Sequence, residues 1–402
     1  MPAFLTLDDI EPQGRTVLVR LDLNVPMKDG EVTDSTRIER VAPTVRELMD
    51  KGAKVVIVSH FGRPKGKPEP SMSLRPLAAP LSEALGGVEV LFADDCVGAA
   101  AEEAVARLQP GGVALLENLR YHAEEEKNEP AFSAALAKLA DLYVNDAFSC
   151  SHRAHASVVG VTEHLPAYAG RLMQAELEAL GKSLENPERP VAALVGGAKI
   201  STKLDLLGNL IEKADVLVLG GGMANTFLLA KGAAIGKSLC EKDMIGTARE
   251  IMAKAEKTGC LIMLPSDGRV AKEFKEGAES QVVGIGQVAA DDMILDIGPE
   301  SAQAIEAKLA DCKCVVWNGP LGAFEIIPFD TGTTEVASYV AAQTRDGKLL
   351  SVAGGGDTLS ALRKAGALDR MSYVSTAGGA FLEWLEGKTL PGVAALEKAA
   401  KG

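Results

Sequence analysis

Short runs rich in β-branched residues and leucine, without regular polar alternation, recur along the chain, at 16–21, 54–59, 88–92, 113–116 and 142–144, then at 191–195, 215–219, 260–264, 314–317, 349–352 and 372–375. A strand with one wet face alternates apolar and polar residues, whereas a run that is apolar throughout suits a strand covered on both faces. Most of these runs are followed by a turn and a helical pattern, so the chain predicts βαβ units in parallel sheets and an α/β fold. Between the two series, Met173, Leu177, Leu180 and Leu184 are spaced four, three and four apart, one apolar helical stripe. Glu185-Asn-Pro-Glu-Arg-Pro190 then stops the helix. The expected organisation is a domain at 1–171, a connecting helix and linker at 172–188, a second domain at 189–389, and a tail helix at 390–402 able to pack on either.

Length agrees with this division, since 402 residues exceed one ordinary domain two- to threefold. The apolar runs are far shorter than the roughly 20 residues that span a bilayer, and the first residues lack a basic start and an apolar core. A cytoplasmic protein with no membrane partner is expected. The six cysteines are scattered, and Cys312-x-Cys314 has no second pair to complete a zinc site, so reduced, buried thiols are expected. A formal charge of −13 disfavours a polyanion-binding surface, and nucleic acid is not an expected partner.

Ligands of open parallel sheets bind at the carboxyl ends of the strands, and the two halves differ there. The first half reads Asp22-Leu-Asn24, His60-Phe-Gly-Arg63, Glu117-Asn-Leu-Arg120 and Asn145 to Arg153, with Arg37 in the turn after Asp34. Through Glu185 there are 19 basic and 28 acidic residues, so a cationic centre here would be placed rather than compositional. Converging guanidinium forks with a histidine suit a small, multiply charged anion. Thr36-x-x-Glu39 resembles a capping box, which puts Arg37 in the first turn of a helix, where a cation opposes the macrodipole unless an anion binds.

The second half is glycine-rich at its strand ends: Gly196-Gly-Ala-Lys199, Gly220-Gly-Gly-Met223, Asn318-Gly-Pro-Leu-Gly322, Gly354-Gly-Gly-Asp357 and Ala377-Gly-Gly379. Five such turns let backbone N–H groups approach a ligand at helix starts, which favours a nucleotide with its phosphates. Lys199 and Lys203, four apart, are expected on one face of a first helical turn, reaching the same phosphates. Asp357 opens a helix and reads either as an N-cap or as a Mg²⁺ ligand. Gly-Lys-Ser/Thr at 181–183, 236–238 and 387–389 lacks the upstream glycine of a P-loop, and no dinucleotide fingerprint follows a strand.

In this order and over essentially the whole chain, Asp22-Leu-Asn-Val-Pro26, His60-Phe-Gly-Arg-Pro64, Glu117-Asn-Leu-Arg120, Ser151-His-Arg-Ala-His155, Gly196-Gly-Ala-Lys199, Gly220-Gly-Gly-Met223, Trp317-Asn-Gly-Pro320, Gly354-Gly-Gly-Asp-Thr358 and Leu385-Glu-Gly-Lys-Thr-Leu-Pro-Gly392 resemble the phosphoglycerate kinase family. The resemblance implies two Rossmann-like domains, each a parallel sheet flanked by helices, joined by an interdomain helix and hinge. It implies reversible glycolytic phosphoryl transfer between 1,3-bisphosphoglycerate and ADP, giving 3-phosphoglycerate and ATP, with Mg²⁺ and as a monomer. It further implies that Asp22, Asn24, Arg37, His60, Phe61, Gly62, Arg63, Arg120 and Arg153 bind 3-phosphoglycerate. Lys203, Gly221, Gly222, Asn318, Glu325, Gly355, Gly356, Asp357 and Thr358 would bind the nucleotide, Asp357 facing the metal, while Arg37 and Lys199 would stabilise the transferring group. Departures are Phe61 for leucine, Ala377 for glycine and Phe381 for serine; a Cβ at 377 would strain the turn if that residue needs positive φ. The alternatives are a two-domain binding protein that closes on a ligand without chemistry, and a nicotinamide-dependent dehydrogenase.

Overall fold

The computed structural model describes residues 4–401. The chain divides into two compact units, one made of residues 1–177 with 389–402 and the other of 178–388.

In the first unit a six-stranded sheet runs in the order Val90–Ala93, Val113–Leu116, Lys54–Val58, Thr16–Arg20, Leu142–Asn145 and Ala167–Ala169. Every pairing is parallel, so all the carboxyl ends share one edge. Val17, Val19, Val55, Ile57 and Val144 are buried in one core with Ile38, Val41, Val45 and Leu48 of the helix Thr36–Asp50. That helix starts at Thr36, the expected cap residue itself, one residue before the expected first turn. Ser35 holds the N-cap position, its hydroxyl donates to the Glu39 carboxylate, and Asp34 accepts from the Thr36 N–H at 2.9 Å. The expected capping box is thus displaced, because Asp34 already satisfies an exposed helix donor.

The connecting helix Arg171–Leu180 is fastened at its start to the first unit: Asp146 Oδ1 accepts from the Met173 N–H at 2.9 Å. Burial pushes the Asp146 carboxyl up to about 6 against these hydrogen bonds. A π-helical turn at Gly181–Glu185 follows. The tail helix Pro391–Ala399 belongs to the first unit, where the Gly392 N–H donates to Ser151 O at 2.8 Å.

The second unit carries another six-stranded parallel sheet, ordered Leu261–Met263, Val216–Leu219, Val191–Val195, Cys314–Asn318, Leu350–Gly354 and Tyr373–Ser375. Its core joins Ala192, Leu194, Val315 and Trp317 to Val336, Ala337 and Val340 of the helix Thr331–Arg345. A three-stranded antiparallel sheet, Asp267–Ala271 between Ser280–Gly284 and Met293–Ile297, was not expected. Its strands mix glycine and charge with apolar residues, so no run marks them.

Candidate active site

At the strand edge of the first unit, charged side chains are held by other side chains. Arg37 Nη1 donates to Asp22 Oδ2 at 2.8 Å and to Asn24 O at 3.2 Å. Ser149 Oγ donates to the same Asp22 oxygen at 2.6 Å. Asn24 Oδ1 accepts from the Gly62 N–H at 2.9 Å, and Gly62 O accepts from Arg120 Nη1 at 2.9 Å. The buried Asn118 side chain clamps Phe61, accepting from its N–H at 3.1 Å and donating to its carbonyl at 2.7 Å. Asp22, Asn24, Arg37, Phe61, Gly62 and Arg120 therefore form one hydrogen-bonded constellation. Arg63 and Arg153 are exposed, and Arg153 Nε donates to His152 Nε2 at 3.1 Å.

Behind the constellation stands a residue that sequence reasoning missed. Arg20 is fully buried at the end of an otherwise apolar strand. Its Nε donates to Ser157 Oγ at 2.9 Å, and its Nη2 lies 3.2 Å from His60 Nδ1. Ser157 Oγ in turn donates to Glu125 Oε1 at 2.6 Å. Arginine can only donate, so His60 Nδ1 accepts and the ring proton sits on Nε2. Its one sequence signal is a charged residue inside an apolar run.

The electrostatics report a cationic field. Burial, then Arg20, push His60 down to about 3. Burial and the charges of Arg120, Arg20 and Arg153 push His155 down to about 4. Burial works to raise the Asp22 carboxyl, yet His60, Arg37 and Ser149 together hold it below its ordinary value. His60 acts on Asp22 by charge only when protonated; near pH 7 it is neutral, and Arg37 is the cation paired with Asp22. Several arginines concentrated in a net acidic half make a receptor for a compact anion.

The second unit offers a cleft of about 580 Å³. Lys203, Gly221, Gly222, Asn318, Glu325, Gly355, Gly356, Asp357 and Thr358 all line it, so the structure brings the expected nucleotide residues together. Two of its turns tolerate no side chain: a Cβ on Gly319 would stand 2.2 Å from Gly196 O, and Gly355 has φ +98. Thr358 Oγ1 accepts from the Gly319 N–H at 2.7 Å, joining two of the turns.

The two lysines do not share a helical face. The helix begins at Leu204, after a turn in which the Lys203 N–H donates to Ile200 O at 2.8 Å. Lys203 Nζ folds back to Gly196 O at 2.8 Å and Asn318 Oδ1 at 2.7 Å. Desolvation pushes its ammonium down to about 8 in spite of Asp357. Lys199 is exposed and lies outside the cleft lining.

Nor does Ala377 strain its turn. Gly378 takes the left-handed conformation at φ +55, and Ala377 is not among the residues of positive φ. Phe381, fully buried, fills the space against Gly354.

The sequence also did not reveal the apolar wall of the cleft, made by Leu239, Phe274, Leu295 and Phe324. Leu239 and Phe274 are 58% and 60% exposed and come from separate loops, so no periodicity flags them. An apolar wall in the same cleft as glycine-rich turns suits an aromatic base. Asp357 offers a hard oxygen at the exposed start of the helix Gly356–Lys364. Mg²⁺ is usually held by one or two carboxylates, phosphate oxygens and waters, so a single carboxylate beside such turns fits it.

An anion receptor on one parallel sheet and a nucleotide cleft on another define a two-domain α/β phosphotransferase. Comparison with known proteins carries this further. The family described as phosphoglycerate kinase matches residues 7–388. Phosphoglycerate kinase of Rhodospirillum centenum is 63% identical over 394 residues, 98% of this chain and 99% of the relative. That of Sinorhizobium medicae is 61% identical over 396 residues, with 98% and 99% covered. The solved phosphoglycerate kinase of Coxiella burnetii superposes with a TM-score of 0.91 at 42% identity, over 98% of this chain and 99% of that one. The chain belongs to the phosphoglycerate kinase family, which sets aside both the binding-protein and the dehydrogenase alternatives. Among the described residues no helix is long and apolar enough to cross a membrane.

Proposed function

We propose that this chain catalyses reversible phosphoryl transfer between 1,3-bisphosphoglycerate and ADP. An oxygen of the ADP β-phosphate attacks the acyl phosphorus, the bond from phosphorus to the carboxyl oxygen breaks, and 3-phosphoglycerate and ATP result. The attacking phosphate oxygen is already an anion and the leaving group departs as a stable carboxylate, so no general base is needed; the work is positioning and neutralising charge. The observation that carries the reading is the pairing of an arginine receptor in one unit with a glycine-lined cleft in the other.

In this reading Asp22, Asn24, His60, Phe61, Gly62, Arg63, Arg120 and Arg153 hold the glycerate substrate, His60 donating from Nε2. Gly221, Gly222, Asn318, Glu325 and the Gly355 to Thr358 turn hold the nucleotide, with Lys203 on its phosphates. Asp357 would hold the Mg²⁺ ion, which would supply positive charge to the phosphate oxygens. Arg37 and Lys199 neutralise charge on the migrating group. These two residues belong to different units. Catalysis therefore requires the units to close on their ligands, which also keeps water from the acyl phosphate. The protein acts as a cytoplasmic monomer in glycolysis.

The test is an assay with ATP, Mg²⁺ and 3-phosphoglycerate. ADP formation that depends on all three is expected; binding of both ligands with no ADP formed overturns the proposal.

A further inference from the structure

Two loops of the first unit bring three metal-ligating side chains together away from the constellation just described. Asp95 and Cys96 follow the strand Val90–Ala93 and precede the helix Gly98–Ala106. His122 lies between the turn Leu119–Tyr121 and the helix Ala123–Lys127. The carboxylate oxygen, thiol sulfur and imidazole nitrogen all lie within 4.8 Å of one another. His122 Nε2 already meets Asp95 Oδ1 at 2.7 Å, and its ring packs against Phe132 with centroids 5.1 Å apart. Cys96 is fully buried, whereas the Asp95 and His122 side chains are 45% and 29% exposed, so an ion has an approach from solvent.

The geometry points to a site for a thiophilic divalent cation of the zinc and cadmium type, ligated by Asp95 Oδ1, Cys96 Sγ and His122 Nε2. A tetrahedral ion at ordinary bond lengths sets its ligand atoms about 3.3–3.7 Å apart. Opening the Asp95–His122 pair by roughly half an ångström, with the sulfur drawn in, reaches that spacing. The exposed side leaves the fourth position to water. One oxygen, one nitrogen and one sulfur make a poor set for Mg²⁺, which prefers oxygen alone, so this site differs in kind from that of Asp357. The surroundings are anionic. Burial and the charges of Asp95, Glu125 and Glu117 keep the Cys96 thiol protonated, and the same field attracts a cation. On binding, the S–H bond breaks, the metal–sulfur bond forms and one proton leaves to the buffer. The ion would fasten the loop after Val90–Ala93 to the segment that carries Arg120. No sequence pattern announces the site, since Cys96 and His122 lie on different connections of the sheet.

Titrating the chelator-stripped full-length protein with CdCl2, in excess Mg²⁺, tests this. One equivalent should bind, with a near-ultraviolet sulfur-to-cadmium absorption band and release of one proton. Cys96→Ala should abolish the band, while His122→Ala and Asp95→Asn, both at partly exposed positions, should each weaken binding about tenfold or more. Cys240→Ala should leave the band intact, Cys240 being the thiol that is not fully buried. ZnCl2 should raise the melting temperature of the parent protein but not of His122→Ala. Absence of the band, its survival in Cys96→Ala, its loss in Cys240→Ala, or undiminished affinity in His122→Ala would overturn the site. Should Cys96→Ala fail to fold, the His122 and Asp95 variants decide the matter alone.

Discussion

In the first unit, guanidinium groups at the strand ends are held by carboxylates and backbone carbonyls, with a buried arginine behind His60; in the second, the strand ends are largely glycine backbone, with one lysine folded onto its own turn. The first arrangement reads charge with side chains and must desolvate them, and the depressed histidines His60 and His155 record that field. The second lines its cleft with glycine backbone, and an apolar wall shares that cleft. Side chains suit a small anion approached from several directions. Backbone turns suit a long ligand lying along one edge. Each test below acts on one half and should leave the other unchanged.

The largest effect is expected from Arg20→Met. Removing one member of a buried charged network typically destabilises by about 3–5 kcal/mol. Denaturant unfolding should show it, and ¹⁵N spectra should show His60 no longer held as the Nε2–H tautomer, while the ADP affinity of the folded fraction stays put.

Arg37→Ala should lower kcat by about 10²–10³-fold, the range for losing one preorganised donor to developing charge. Calorimetric ADP affinity should be nearly unchanged. A large loss of ADP binding would refute the division of labour between the halves.

A third test uses pH on the second unit. Lys203, displaced from 10.5 to about 8, is charged below pH 8 in the free protein and neutral above it. Bound phosphate favours the ammonium, so ADP affinity should fall up to about tenfold per pH unit above 8, with proton uptake on binding. The dependence should vanish in Lys203→Met. For folding the sign is the reverse. Between pH 8 and 10.5 the unfolded chain holds the extra proton, so this group's penalty is complete below 8 and relieved as pH rises.

The smallest effect belongs to Ala377→Gly. With the positive φ at Gly378, restoring glycine at 377 should change stability by less than about 1 kcal/mol. Thermal melts and kcat would check it.

Much of this was legible in the chain because burial on both faces leaves a run of apolar residues that cannot be mistaken for an exposed strand. Both parallel sheets, the connecting helix and the glycine turns follow from that and from the backbone freedom of glycine. What escaped was non-periodic. The strands of the antiparallel sheet mix polar and apolar residues, and the wall of Leu239, Phe274, Leu295 and Phe324 is assembled from loops and one strand far apart in sequence. Lys199 and Lys203 were misplaced because a hydrogen-bonded turn, invisible to spacing, delays the helix to Leu204.

Local chemistry by itself thus determined the α/β class and marked out the strand ends as candidate sites, arginine-rich in one half and glycine-rich in the other. Only tertiary folding decided that Arg20 stands behind His60, that Asp22 aims Arg37, and that Lys203 turns inward while Lys199 stays in water. Those outcomes depend on distances between residues remote in the chain, and a hydrogen bond exists only once packing has closed the gap.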